Sequence, residues 1–376
     1  MQRIFFAFIL FLLCFNVSAT NQPFGSNYQA YFEIHTFGYS ETAPIRQIIN
    51  NMEGATFDGG KHSFTHNIFE EGFKFNGWKV AYFNRYDFVL DYTPDTAEII
   101  YSDSNNVPLE KNRVYDVYLN LIHSQSKGLK FGYEWQLKPN FIVGVDLSYL
   151  QVKRYLSGDV IGQFTATDSD YTGQLDLDYF YTKDYLLDRE VSAPRGRGYA
   201  LDINWRWQST DKLWTLSGEW TDLISKITIK NAPYTTATAS TDRVSFDDEG
   251  TISVKPVLSG IEGYRTESLR LPKQASVQGF YQFQPRLNMG LSLYRFGRLN
   301  FPSTLLEYRF SEVMQFNAGF EYKSDALTLG LESSMFDISV TSDRLSLDKA
   351  KTFGLDISAN VDLEVFVDAI FSIIKS

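Results

Sequence analysis

Apolar and polar residues alternate along most of this chain. In the segment 199–207, Tyr199, Leu201, Ile203, Trp205 and Trp207 are apolar, whereas Asp202, Asn204 and Arg206 are polar. After the turn-like Ser209–Lys212 the pattern resumes at Leu213 and runs to Trp220. Successive strand side chains point to opposite faces, so such a segment has one greasy face and one wet face. The same pattern predicts strands over 114–122, 129–137, 141–149 and 175–181. A hairpin signal at Asn76-Gly77 precedes an apolar run from Trp78 to Tyr92. Further along, strands over 274–283, 288–296, 303–310, 314–322 and 326–338 are separated by Gln284-Pro-Arg286, Ser311-Glu-Val313 and Lys323-Ser-Asp325. Turns this short imply antiparallel neighbours, and Lys138-Pro-Asn140 is another. Only Ile45, Ile48, Ile49 and Met52 show helical spacing, which predicts a short amphipathic helix beside a loop.

The first twenty residues stand apart. Arg3 precedes an apolar run of 12 residues, Ile4–Phe15, and Val17-Ser-Ala19 supplies a small-residue cleavage site. This predicts an export signal at 1–19 and a single mature domain at 20–376. Cys14 would suit a lipoprotein signal, but Leu13 stands where such a signal takes Gly or Ala. Cys14 is also the only cysteine, so the mature chain has no disulfide or thiol chemistry. Beyond residue 20 no stretch approaches 18 consecutive apolar residues, which excludes a membrane-spanning helix there.

An exported, alternating chain with few covering helices points to a closed antiparallel transmembrane β-barrel, because only closure satisfies strand edges in lipid. The expected ring has roughly 16 strands, an even number as in bacterial single-chain barrels. The polar connections 39–62, 93–112, 183–197 and 230–272 are long, and the hairpin turns are short. That asymmetry predicts short periplasmic turns and long extracellular loops. The 43-residue segment 230–272 would either fold inward as a constriction or remain a surface flap. A secreted soluble β-protein is the competing fold, and it requires a second sheet over the aromatic face.

Leu363–Phe371 alternates over nine residues and ends on an aromatic. It resembles the C-terminal strand by which Gram-negative outer-membrane barrel proteins are recognised for insertion, although Ser372–Ser376 follows where that family stops. The resemblance implies an outer-membrane location, contact with outer-membrane lipid and lipopolysaccharide, and delivery by the barrel-assembly machinery. On strand grammar, the chain is similar to the long-chain fatty-acid transporter group.

If the bulky apolar set faces lipid, the opposite set faces the lumen. It contains Glu134, Asp146, Asp176, Asp178, Asp202, Glu219, Glu307, Glu321, Glu332, Asp356 and Glu364, against the bases Lys130, Arg206 and Arg309. Such a lumen favours cations by Coulomb attraction. In the hairpin at 199–220, pairing Trp205 with Leu216 would set Asp202 opposite Glu219. Phe83, Phe180, Phe296 and Phe366 interrupt otherwise polar faces and would line a greasy path. The net charge of −10, with no basic run, argues against nucleic-acid binding. No phosphate-cradling loop or Gly-x-Ser-x-Gly elbow is present, and no cofactor is expected. His62 and His66 have the spacing of a helical metal pair, but the surrounding residues read as loop or strand. The expected function is a porin-like channel or passive transporter of small solutes, not an enzyme. A barrel that scaffolds a surface or secretion system and a barrel enzyme acting on lipid are the alternatives.

Overall fold

The computed structural model describes residues 28–363 apart from 55–56, 168–170, 186, 193, 242–243, 247–251 and 255–256. The expected export signal, Phe366 and all but the first residue of the expected last strand lie outside the described residues. The first strands are β1 (Tyr28–Ser40), β2 (His62–Phe75), β3 (Trp78–Tyr92), β4 (Val114–Lys138), β5 (Phe141–Ala166) and β6 (Tyr171–Tyr181). There follow β7 (Gly196–Gln208), β8 (Trp214–Ser240), β9 (Val244–Phe246), β10 (Ile252–Val254), β11 (Val257–Leu269) and β12 (Gln274–Gln284). The last are β13 (Leu287–Phe296), β14 (Leu299–Arg309), β15 (Met314–Glu321), β16 (Ala326–Ser333), β17 (Phe336–Ser342) and β18 (Thr352–Asp362). Two helices, α1 (Ile45–Ile49) and α2 (Pro94–Asn105), lie in the connections after β1 and β3.

Among the described residues all pairings are antiparallel, and 14 strands close a ring: β8, then β12 to β18, then β1 to β5, then β7 back to β8. Closure leaves no sheet edge within the ring, which is what a β-structure in lipid requires. The expected ring of about 16 is therefore not what forms. β6 and β11 alternate like barrel strands, but they pair only with the upper parts of β5 and β8. Below, β5 pairs with β7 through Phe141↔Trp207, and above, with β6 through Leu156↔Tyr181. β8 has 27 residues and would extend about 90 Å at 3.3 Å per residue, far more than a bilayer core needs. The upper halves of β4, β5 and β8, with β6 and β11, thus form a tall sheet over one side of the barrel. The 230–272 segment is largely this extension, since β8 and β11 pair as a hairpin from Ile227↔Leu269 to Ser240↔Val257.

Three other strand readings change. Residues 114–122 and 129–137 are parts of the single strand β4; the polar stretch His123–Lys127 runs through it, with Ser124 and Ser126 turned inward and buried. The predicted strand 326–338 breaks into β16 and β17, because Ser333 Oγ accepts from the amides of Met335 and Phe336 and caps a tight turn. In the connection 93–112, α2 forms where a loop was expected: Thr93 caps it by accepting from the Thr96 amide, and Asn106 ends it in a left-handed conformation. The helix read at Ile45 forms as α1, and Asn76-Gly77 makes its hairpin with both residues at positive φ, 49° and 83°.

Both ends of the ring segment, Tyr28 and Asp362, lie at the rim of short turns, where β1 and β18 pair through Gln29↔Asp362. Aromatics ring that rim: Trp78 packs on Tyr133 at 4.7 Å, Tyr133 on Trp135 at 4.9 Å, and Trp214 on Tyr281 at 4.8 Å between centroids. Above the rim the outward positions are exposed Leu, Val and Phe, as in Leu291, Leu293, Leu327, Leu329 and Val340. This apolar wall with an aromatic girdle is the lipid-facing surface of a transmembrane barrel.

Candidate functional site

The inward faces carry the charge. On the short-turn side of the lumen, two lysines hold three carboxylates. Lys79 Nζ lies 2.8 Å from Glu70 and 3.2 Å from Asp146; Lys130 Nζ lies 2.8 Å from Glu70 and 3.2 Å from Asp202. Tyr31 donates its hydroxyl to Glu70 at 2.8 Å. These groups come from β1 to β5 and β7, and most are buried, so each charge must be met by a partner. Glycine makes part of the room: a Cβ on Gly132 would stand 1.9 Å from Asp146 Oδ1.

Nearer the middle, a hydrogen-bonded belt crosses the lumen. Arg85 on β3 reaches Asp222 on β8, four strands away round the ring, at 2.5 Å, and also binds Asp87 at 2.7 Å. Asp87 pairs with His66 Nδ1 at 2.7 Å. His66 Nε2 lies 3.2 Å from the Gln274 amide nitrogen, and Tyr294 donates to Gln274 Oε1 at 2.9 Å. With a proton on Nδ1, His66 donates to Asp87 and accepts from Gln274, so all six side chains are satisfied in one chain. His66 and Gln274 stand on β2 and β12, six strands apart, so this bond joins nearly opposite walls.

One residue pair closer to the long-loop mouth, the interior turns aromatic. Phe37, Tyr39, Phe64, Phe296 and Phe301 form a buried cluster. Phe64 stacks on Phe296 with centroids 3.9 Å apart and planes at 6°. Phe37 meets Phe301 edge-on at 5.4 Å, and Tyr39 meets it at 5.1 Å. A second buried apolar cluster, with Phe83, Leu150, Val152, Phe180, Ile227 and Leu271, packs where the ring meets the tall sheet. Under the belt lies a cavity of about 420 Å³, lined by His35, His66, Ile68, Glu219, Tyr294 and Asp337 among others.

The residues singled out from sequence are dispersed. Asp146 and Asp202 sit in the buried lysine network. Glu219 and Asp356 line the cavity, and Asp356 pairs with His35 across β1 and β18. Asp202 does not face Glu219. Asn204 does, because Trp205 pairs with Gly218 and not near Leu216. Asp202 instead accepts from the Asp222 amide at 2.8 Å. Glu134 and Arg206 are exposed near the short-turn rim. Asp176 and Asp178 lie on β6, outside the ring; they accept from Thr238 and Thr236, and Asp178 also pairs with Arg265 at 2.8 Å. Glu307 accepts from Asn288 at 2.8 Å, and Glu332 accepts from Gln315 and Asn317. Arg309 is exposed at the short-turn end of β14. Glu321 caps the 322–325 turn through the amides of Lys323 and Ser324. His62 faces Asp91 at 2.7 Å on a strand, so the helical spacing of His62 and His66 has no meaning here. Among the described residues no cluster has the make-up of a metal site.

Sequence reasoning missed Arg85, Asp87, Gln274 and Tyr294. For the first two the signal was present: in the run from Trp78 to Tyr92, Lys79, Arg85 and Asp87 occupy the face opposite the apolar one.

A closed ring with an apolar outer wall, an aromatic rim and a charged interior defines a bacterial outer-membrane β-barrel protein. No protein-family model and no curated protein matches the chain. Among solved structures, it is similar to a TodX monoaromatic hydrocarbon channel mutant lacking S2 and S3, at 9% identity and a TM-score of 0.47, over 90% of each chain. A Pseudomonas aeruginosa FadL homologue shares 11% identity at a TM-score of 0.41, over 90% of this chain and 91% of that one. The translocator domain of the autotransporter NalP from Neisseria meningitidis matches over 96% of each chain, at 9% identity and a TM-score of 0.31.

Proposed function

We propose that the protein is a passive outer-membrane transporter for small solutes with an apolar, ring-sized body. The observation that carries this reading is the order of surfaces along the lumen: an aromatic cluster at the long-loop mouth, then a polar-walled cavity at mid-depth. A solute leaving water meets aromatic surface first, which favours apolar bodies by burial, and then groups that can bind a polar tail. A cavity of about 420 Å³ suits a molecule of one or two rings.

Any ionic leak would favour cations. Lys79 and Lys130 are committed to Glu70, Asp146 and Asp202. The cavity wall then presents Glu33, Glu219, Asp337 and Asp356 against His35. A hydrolytic role finds less support, since the buried His66 spends its second nitrogen on Gln274 rather than on a hydroxyl. A scaffold role is the second reading, and the tall sheet over one side of the barrel is the feature that favours it.

The test is uptake by Gram-negative cells with an intact lipopolysaccharide layer, using a radiolabelled monoaromatic hydrocarbon and a labelled disaccharide. Expression should raise uptake of the hydrocarbon several-fold and leave the disaccharide unchanged. Faster entry of the disaccharide would indicate an ordinary porin, and no change in either would favour the scaffold.

A further inference from the structure

We infer that the barrel is gated by its own walls: Phe64 and Phe296 form the gate, and the His66–Gln274 bond is its latch. This rests on the transport reading above. β2 and β13 stand seven places apart in a ring of 14, so the Phe64–Phe296 stack joins diametrically opposite walls. Each ring is only 3% exposed, although each belongs to a wall that would otherwise face an open lumen. The latch lies beside it, where β2 and β12 meet through His66, one inward residue below Phe64, and Gln274, the cross-strand partner of Phe296. Every residue of stack and belt belongs to a strand of the ring, so the seal needs no separate plug.

The two sides of the seam are held with different strength. On one side, His66 is fixed by Asp87, which Arg85 ties to Asp222 through charged, buried contacts. On the other, Gln274 is held by the neutral Tyr294 hydroxyl. In the seam itself the walls are joined by one neutral hydrogen bond, the Phe64–Phe296 stack and the edge-on contacts of Phe37 and Tyr39 with Phe301, none of them charged. Neutral bonds are weaker than charge-assisted ones, so the seam parts before its anchors do. Opening needs side-chain rotation within this aromatic cluster, led by Phe64 and Phe296, and the strand ladder stays intact.

The geometry also names the solute that opens it. The two rings lie nearly parallel, so a flat aromatic molecule entering from the mouth cluster can replace one ring's contact with the other. A bulky or strongly hydrated solute offers no such exchange. The gate therefore selects planar apolar solutes, and the cavity lined by His66, Gln274 and Tyr294 receives them directly beneath.

Two arms test this on the folded full-length protein. In planar bilayers, Phe64→Ala combined with Phe296→Ala should raise single-channel conductance at least several-fold over the wild type. Heat-modifiable gel mobility shows that the variant is folded. A folded double variant that conducts no better than the wild type overturns the gate. The second arm keeps the rings' positions but ties them. Phe64→Cys with Phe296→Cys, in a chain whose sole cysteine is Cys14 of the expected export signal, is bridged by a cleavable bis-thiol reagent. Bridging should abolish hydrocarbon uptake in cells, and reduction should restore it. Uptake that persists through the bridge also overturns the gate. Should the wild type itself carry no hydrocarbon, the transport reading fails, while the conductance arm still decides whether the seam closes the lumen.

Discussion

At the residue scale, the interior is governed by the rule that a buried charge needs partners. Arg85 serves two carboxylates, Asp87 and Asp222, all three being buried. Arg85→Met should therefore cost about 3–5 kcal/mol, because it strands two anions in the lumen. Urea titration of the folded barrel in liposomes would measure it; a change below 1 kcal/mol would show that water already serves these carboxylates. Gly132→Ala acts through space instead. Its methyl group would displace Asp146 from Lys79, with an expected loss of about 1–3 kcal/mol in the same titration. Part of this network was readable in the sequence. A two-residue turn at Asn76-Gly77 sets Phe75 opposite Trp78, and counting back places His66 opposite Asp87 and His62 opposite Asp91, as observed. The contacts of His66 with Gln274 and of Phe64 with Phe296 were not readable, because they depend on the shape of the ring and not on any local register.

At the element scale, alternation identified strands well and their membership poorly. β6 and β11 have the period of wall strands, yet they stand above the ring, since period 2 reports one wet face and not which water it meets. Length misled in the same way: β4 runs 25 residues, so the polar stretch His123–Lys127 within it parted what reads as two strands. The opposite error occurred at Ser333, whose side-chain cap is a weaker signal than Pro or Gly. The helix α2 carried its signals openly, with Thr93 before Pro94 and Asn106 after it. The tall sheet yields a prediction of its own. The ring pairings of β8 end by Thr228, so deleting 233–264 across a Gly-Ser turn should leave the ring folded. Unchanged heat-modifiable mobility is the expected result, and its loss would make the extension part of the folding unit.

At the scale of the whole molecule, the outer wall is lipid-facing and the lumen is sealed. The wall can be probed by placing charge on it. Leu329 lies mid-strand on β16 and is exposed. Leu329→Arg should destabilise the barrel in bilayers by about 2–4 kcal/mol, as for a cation at mid-membrane, and far less in detergent. Sealing is the property that separates this barrel from an open porin, and single-channel recording of the folded wild-type protein in symmetrical potassium chloride addresses it most directly. A resting state without steady current, broken only by brief cation-preferring openings, is what the wall-to-wall seam predicts. A large, steady, voltage-independent conductance would contradict it.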